Sequence, residues 1–195
     1  MHHDGRYLEL IARIGNWEPP PFIFGGFAED ALLHGVISRP HNDVDVLVFR
    51  EQLNLYIPQA KNLGFEDFDI NYEPIPGKPL VLNAEHGGLH LEISMFERDG
   101  EDKAYFVVIG GADGKLYRVY LPDDAFTFPA SMIEGVPVQT LSPLALYQIR
   151  DGLMRVAPFG ELRPTDLPAQ KLLLERFFKG KAEVELAPQI RSEEP

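Results

Sequence analysis

Apolar positions near the start of the chain, Tyr7, Leu8, Ile11 and Ile14, recur with helical spacing, and Gly15 closes the segment. Pro19, Pro20 and Pro21 then break the chain. Phe22-Ile23-Phe24 is a short apolar run between turn formers and predicts a short buried strand. Gly25-Gly26 follow, Phe27 to Leu33 reads as a helix, and Gly35 is its expected stop. Asp43-Val44-Asp45-Val46-Leu47-Val48-Phe49 is rich in β-branched residues and predicts a central strand. Its alternation puts Val44, Val46 and Val48 on one face and Asp43, Asp45 and Leu47 on the other. Residues 51–63 predict a helix ended by Gly64. Pro79 to Asn83 and Leu89 to Phe96 flank Gly87-Gly88 and read as a hairpin. A second hairpin is expected over 104–120, turning at Gly110-Gly111-Ala112-Asp113-Gly114. From Ser142-Pro143, a good helix start, the pattern is helical through Leu144 to Met154. Another helix is expected over 166–178, with Leu172, Leu173, Leu174, Phe177 and Phe178 apolar. The tail from Lys181 is charged, contains Pro188 and Pro195, and is expected to be loosely held.

These elements add up to an α/β chain of the α+β type: a mixed β-sheet core with flanking helices and a small C-terminal helical region. The expected division is a core over 1–139, a helical region over 140–180 and a tail over 181–195. A chain of 195 residues buries roughly 70% of its unfolded surface and folds without staples. No internal repeat or low-complexity segment interrupts it.

Composition narrows the function classes. There is no cysteine, which excludes disulfides and thiolate metal sites and makes a reducing cytosol the default. Met1-His2-His3-Asp4-Gly5 is not the start of a signal peptide, and no apolar stretch approaches the roughly 20 residues that span a bilayer. The expectation is a cytoplasmic protein without membrane contact. The formal net charge is −12, which argues against a nucleic-acid partner and favours attraction of a cationic small molecule.

The chemistry concentrates in Gly25-Gly26, the helix after it, and Asp43-Val44-Asp45. Residues i and i+2 of a strand share a face, roughly 6.5–7 Å apart, so two carboxylates there can converge on metal. Magnesium binds through one or two carboxylates plus substrate phosphates, and two such ions serve an in-line displacement. The plain alternative is a strand that starts at a solvated edge. Glycines before a helix let backbone amides approach an anion; the plain alternative is an ordinary tight turn. A third carboxylate, Glu92, sits with His90 and Ser94 on one face of Leu89–Met95, opposite Leu89, Leu91, Ile93 and Met95. It is a metal ligand, a general base or part of a solvated face. His90 is read as a neighbour rather than a ligand, and His86 as an exposed turn residue.

Residues 25–48, with Gly25-Gly26, Phe27, Asp30, Arg39, His41 and the Asp43/Asp45 pair, resemble the signature of the polymerase-beta-like nucleotidyltransferase superfamily. More narrowly they are similar to small antibiotic nucleotidyltransferases that modify aminoglycosides at the 2″ hydroxyl or lincosamides. A looser likeness continues through Ser142-Pro143 to Arg150 and Arg163 to Asp166. The resemblance implies magnesium, two ions, and a nucleoside triphosphate, ATP foremost. An acceptor hydroxyl attacks the α-phosphate and pyrophosphate leaves. It implies Asp43 and Asp45 as metal ligands and places the third acidic position on Glu92, where these families usually carry Asp. It places Gly25, Gly26, Arg39 and Arg150 around the nucleotide, Arg150 standing where a lysine often contacts the triphosphate. Arg39 either binds phosphate or pairs with Asp30, and His41 buttresses its loop. The expected partners are the triphosphate and a small hydroxylated acceptor, with the chain a monomer or a homodimer. Competing readings are an inactive relative that holds a nucleotide or partner, a toxin-type relative acting on tRNA or protein, and a metal-dependent phosphohydrolase.

Overall fold

A computed structural model of the chain describes residues 4–71, 80–101, 103–110, 115–156 and 166–192. Pro79, the turn over 111–114, Arg163 and Pro195 lie outside the described residues. The chain divides into two compact units, Met1–Phe96 with Pro129–Thr140, and Glu97–Phe128 with Leu141–Pro195.

The first unit is built on a mixed sheet. Helix α1 (Asp4–Ile14) buries Tyr7, Leu10, Ile11 and Ile14, the stripe its spacing predicts. Strand β1 (Phe22–Ile23) runs antiparallel to β2 (Val44–Phe49), and helix α2 (Gly25–Leu33) connects toward it. After a 3₁₀ turn at Arg50–Gln52 come α3 (Leu53–Asn62) and β3 (Phe68–Asn71). Strands β4 (Val81–His86) and β5 (Leu89–Asp99) form the expected hairpin. His86 pairs with Leu89, and Gly87 and Gly88 turn the chain at φ 58° and 76°, the left-handed conformation both positions of a type I′ turn require. Strand β2 pairs parallel with β5, whereas β5–β4 and β4–β3 are antiparallel. Val44, Val46, Leu91 and Ile93, all at 1% exposure or less, form the layer beneath one face of this sheet, and Leu47 and Phe96 are buried as completely on the other face. A short hairpin, β8 (Ser131–Ile133) and β9 (Val136–Val138), completes the unit.

The second unit carries the end of β5, then β6 (Lys103–Ile109) and β7 (Leu116–Tyr120), the second expected hairpin. Helices α4 (Pro143–Val156), α5 (Asp166–Phe177) and α6 (Glu183–Leu186) follow. Ser142 caps α4 as its sequence predicts: its Oγ accepts from the amide of Ala145 at 3.2 Å and donates to Asp124 Oδ1 at 3.2 Å. A Cβ on Gly152 would stand 2.7 Å from Val119 Cγ1, so α4 lies directly on β7. Part of the tail is paired into the sheet. Strand β10 (Gln189–Ser192) pairs antiparallel with β7, and Ile190 packs on the Val108–Val119 core with Phe106, Leu153 and Val156. Leu186, 2% exposed, adds a second apolar anchor in this segment, and Arg191 lies over the Tyr120 ring at 4.9 Å. Among the described residues no helix is long and apolar enough to cross a membrane.

Candidate active site

Strand pairing assembles the polar residues of the first unit into rows. Asp45 on β2 is in register with Glu92 on β5, Glu92 with Asn83 on β4, and Asn83 with Asp69 on β3. Residues in register share a face, and neighbouring strands lie about 4.8 Å apart, so Asp45, Glu92, Asn83 and Asp69 form one line across the sheet. Two residues earlier along β2, Asp43 precedes the strand, and Glu85 pairs with His90. Asn42, Asp43, Asp67, Asp69, Asn83, Glu85, His90 and Glu92, with Ala84 and Leu91, line a cavity of about 640 Å³. Five of these lining residues are carboxylates and none is lysine or arginine. Glu92 Oε1 accepts a hydrogen bond from Ser94 Oγ at 3.1 Å, which orients its carboxylate. His90 is exposed, with Nδ1 4.0 Å from Glu85 Oε2. His86 is exposed as expected, but its ring also covers Gly64 and meets Phe65 edge-on at 6.0 Å.

The glycine turn sits against this row. The amide of Phe24 donates to the carbonyl of Asp45 at 2.9 Å, which ties the entrance of α2 to β2. Gly25 follows at φ 60°, and a Cβ there would lie 1.8 Å from Asp45 Oδ2. The carboxylate thus occupies the space of the missing side chain, at the N-terminal end of a nine-residue helix. The free amides and dipole of a helix N-terminus favour anions.

The loop from α2 to β2 is clamped from below. Asp30, 1% exposed, accepts from the Ser38 amide at 2.9 Å, from the Ser38 hydroxyl, and from His41 Nε2 at 2.7 Å. Burial pushes the Asp30 carboxyl up, but the hydrogen bonds from His41 and Ser38 and the His41 charge outweigh it, so its pKa lies below the ordinary value. Arg39 does not pair with Asp30, one of the two roles expected of it. Its guanidinium reaches Glu29 Oε2 at 3.4 Å instead. The Tyr7 hydroxyl donates to the carbonyl of Asn42 and holds the end of the loop. Burial raises the Tyr7 pKa.

The sheet thus sets Asp45 beside Glu92 and the glycine turn beside Asp45, while Asp43 and Glu92 line one cavity. Arg150 lies on α4, in the second unit. Among the described residues no three His, Asp or Glu side chains form a ready metal cage. Magnesium does not require one, since it binds through one or two carboxylates and completes its octahedron with water and substrate phosphates. The oxygen-only donors Asp43, Asp45 and Glu92 beside a Cβ-free turn fit that ion. Asp67, Asp69, Asn83 and Glu85 escape a reading of sequence spacing, because only the β3–β4–β5 register brings them to this face.

Several solved structures share the fold, three of them as follows. The solution structure of the antibiotic-resistance factor ANT(2″)-Ia is 21% identical with a TM-score of 0.61, covering 88% of this chain and 84% of that one. The crystal structure of ANT(2″)-Ia in complex with adenylyl-2″-tobramycin is 18% identical with a TM-score of 0.65, covering 93% and 92%. The lincomycin-bound crystal structure of the lincosamide antibiotic adenylyltransferase LnuA is 16% identical with a TM-score of 0.52, covering 78% and 84%. The α+β fold with a mixed sheet, expected from the sequence, is the fold these proteins have. No family model matches the sequence, and no curated protein matches it.

Proposed function

We propose that this chain is a nucleotidyltransferase that moves a nucleoside monophosphate, from ATP foremost, to a hydroxyl of a small, amine-bearing antibiotic-like acceptor and releases pyrophosphate. The observation that carries the reading is the seat of the Asp45 carboxylate against Gly25 at the start of α2, with Glu92 as its register partner on the cavity wall. The fold shared with ANT(2″)-Ia and LnuA supports it.

Asp43 and Asp45 hold magnesium, with Glu92 as a third ligand or as the base. Magnesium bound there supplies charge neutralisation on the triphosphate. The Gly25-Gly26 turn and Arg39 orient the phosphates. The carboxylate-lined cavity takes the acceptor and attracts its ammonium groups. The acceptor oxygen bonds to the α-phosphorus, the bond to the pyrophosphate oxygen breaks, and the hydroxyl proton passes to Glu92 when it acts as base.

The test is pyrophosphate release from each nucleoside triphosphate, with magnesium, across aminoglycosides, lincosamides and other hydroxylated metabolites. Release that depends on one acceptor establishes the transferase and names its substrate. Phosphate release without any acceptor, or no magnesium-dependent nucleotide binding at all, defeats the proposal.

A further inference from the structure

The mechanism above leaves unused a buried acid–histidine pair directly beneath the glycine turn. Asp30 and His41 are 1% and 6% exposed. Asp30 lies one helical turn after Gly26, on the same side of α2. Its carboxylate takes three hydrogen bonds from the following loop, two from Ser38 and one from His41. The opposite edge of the imidazole meets the turn itself: a Cβ on Gly26 would stand 2.5 Å from His41 Cε1 and Nδ1, and 2.9 Å from the Arg39 guanidinium. Phe27 closes the remaining side, with its ring centroid 4.0 Å from that of His41.

A buried charge is costly unless it is fully hydrogen-bonded, and an apolar plug would hold a loop to a helix more cheaply. The polar clamp adds direction. Three hydrogen bonds to one carboxylate fix the orientation of Ser38 and His41, and Arg39 and Asp43 stand beside these two points in the chain. We infer that His41 and Asp30 are positioning residues for the triphosphate: their hydrogen bond presses the 38–43 loop onto Gly26 and thereby sets where the Arg39 guanidinium and the Asp43 carboxylate stand. The inference rests on the nucleotidyltransferase reading. An ionised carboxylate only accepts, so Nε2 of His41 is the donor. Glutamine at 41 keeps a donor at that reach, whereas leucine keeps bulk and loses it.

The test is calorimetric titration of the whole protein with magnesium and ATP, alongside thermal melting. His41→Leu is expected to weaken ATP binding at least tenfold, and His41→Gln to stay within about threefold of the parent. Both variants lose the ring contact with Phe27, so a merely structural role would weaken them alike. Equal weakening in both, or none in either, overturns the inference. If His41→Leu fails to fold, Ser38→Ala decides: it removes one donor to Asp30 and leaves the ring in place. Ser38→Ala is expected to weaken binding about threefold, and unchanged affinity overturns the clamp. A parent protein that binds no magnesium–ATP overturns both the nucleotidyltransferase reading and this inference. A parent that binds while all variants bind equally well overturns only the latter.

Discussion

Alanine at position 25 would place a methyl carbon 1.8 Å from Asp45 Oδ2, on a backbone at φ 60°. Either the carboxylate moves or the turn opens. Gly25→Ala should therefore cost on the order of 1–3 kcal/mol of stability and at least about a hundredfold in rate, read by denaturant unfolding and by pyrophosphate release. Asp43→Asn and Asp45→Asn should each abolish transfer with the melting temperature preserved; activity in either variant would remove that residue from the site. Glu92→Gln should slow the reaction strongly while nucleotide binding persists, and loss of binding instead would make Glu92 chiefly a metal ligand. Asp30 gives a pH signature. Its folded pKa is lowered, so its stabilisation is complete above the unfolded carboxylate value of about 3.9 and fades as the pH falls through the lower folded value. Melting curves from pH 6 downward should show a shallower acid loss in Asp30→Asn than in the parent.

Among the elements, α4 depends on one side chain for its start. Ser142→Ala removes the hydroxyl that accepts from the Ala145 amide and holds Asp124, and should cost about 1 kcal/mol in urea unfolding. This cap was legible in Ser142-Pro143, as α2, β2 and the β4–β5 hairpin were legible in their glycines and alternation. Strand β3 was not. It contains Asp69 and Asn71, which disfavour strands, and it exists because β4 offers it a partner. Strand β10 hides in a charged tail, where isolated apolar positions such as Leu186 and Ile190 mark the packing. The same distinction governs the site. Asp43 and Asp45 stand out by their i, i+2 spacing at the start of β2, whereas Asp67, Asp69, Asn83 and Glu85 come to this face only through pairing between strands. The Asp30–His41 bond closes a loop whose path no local rule dictates.

At the scale of the whole molecule, a net charge of −12 and a cavity edged by carboxylates would act together on the amine-bearing acceptor proposed above. The screening length falls from about 10 Å at 0.1 M salt to about 3 Å at 1 M. The KM for an amine-bearing acceptor should rise several-fold between low and high salt, while that for a neutral hydroxylated acceptor should change little. Equal changes for both would mean that the field has no part in acceptor capture. The parallel pairing of β2 with β5 carries a different consequence, for the time course of folding. The β4–β5 hairpin closes over a two-residue turn, and such hairpins form in roughly 1–10 μs. The β2–β5 ladder must instead bring together segments separated by α3, β3 and β4, and such distant pairings are intrinsically slow. Asp45 meets Glu92 only when that ladder zips, so under the proposed function the carboxylate row of the site is expected to form after the β4–β5 hairpin.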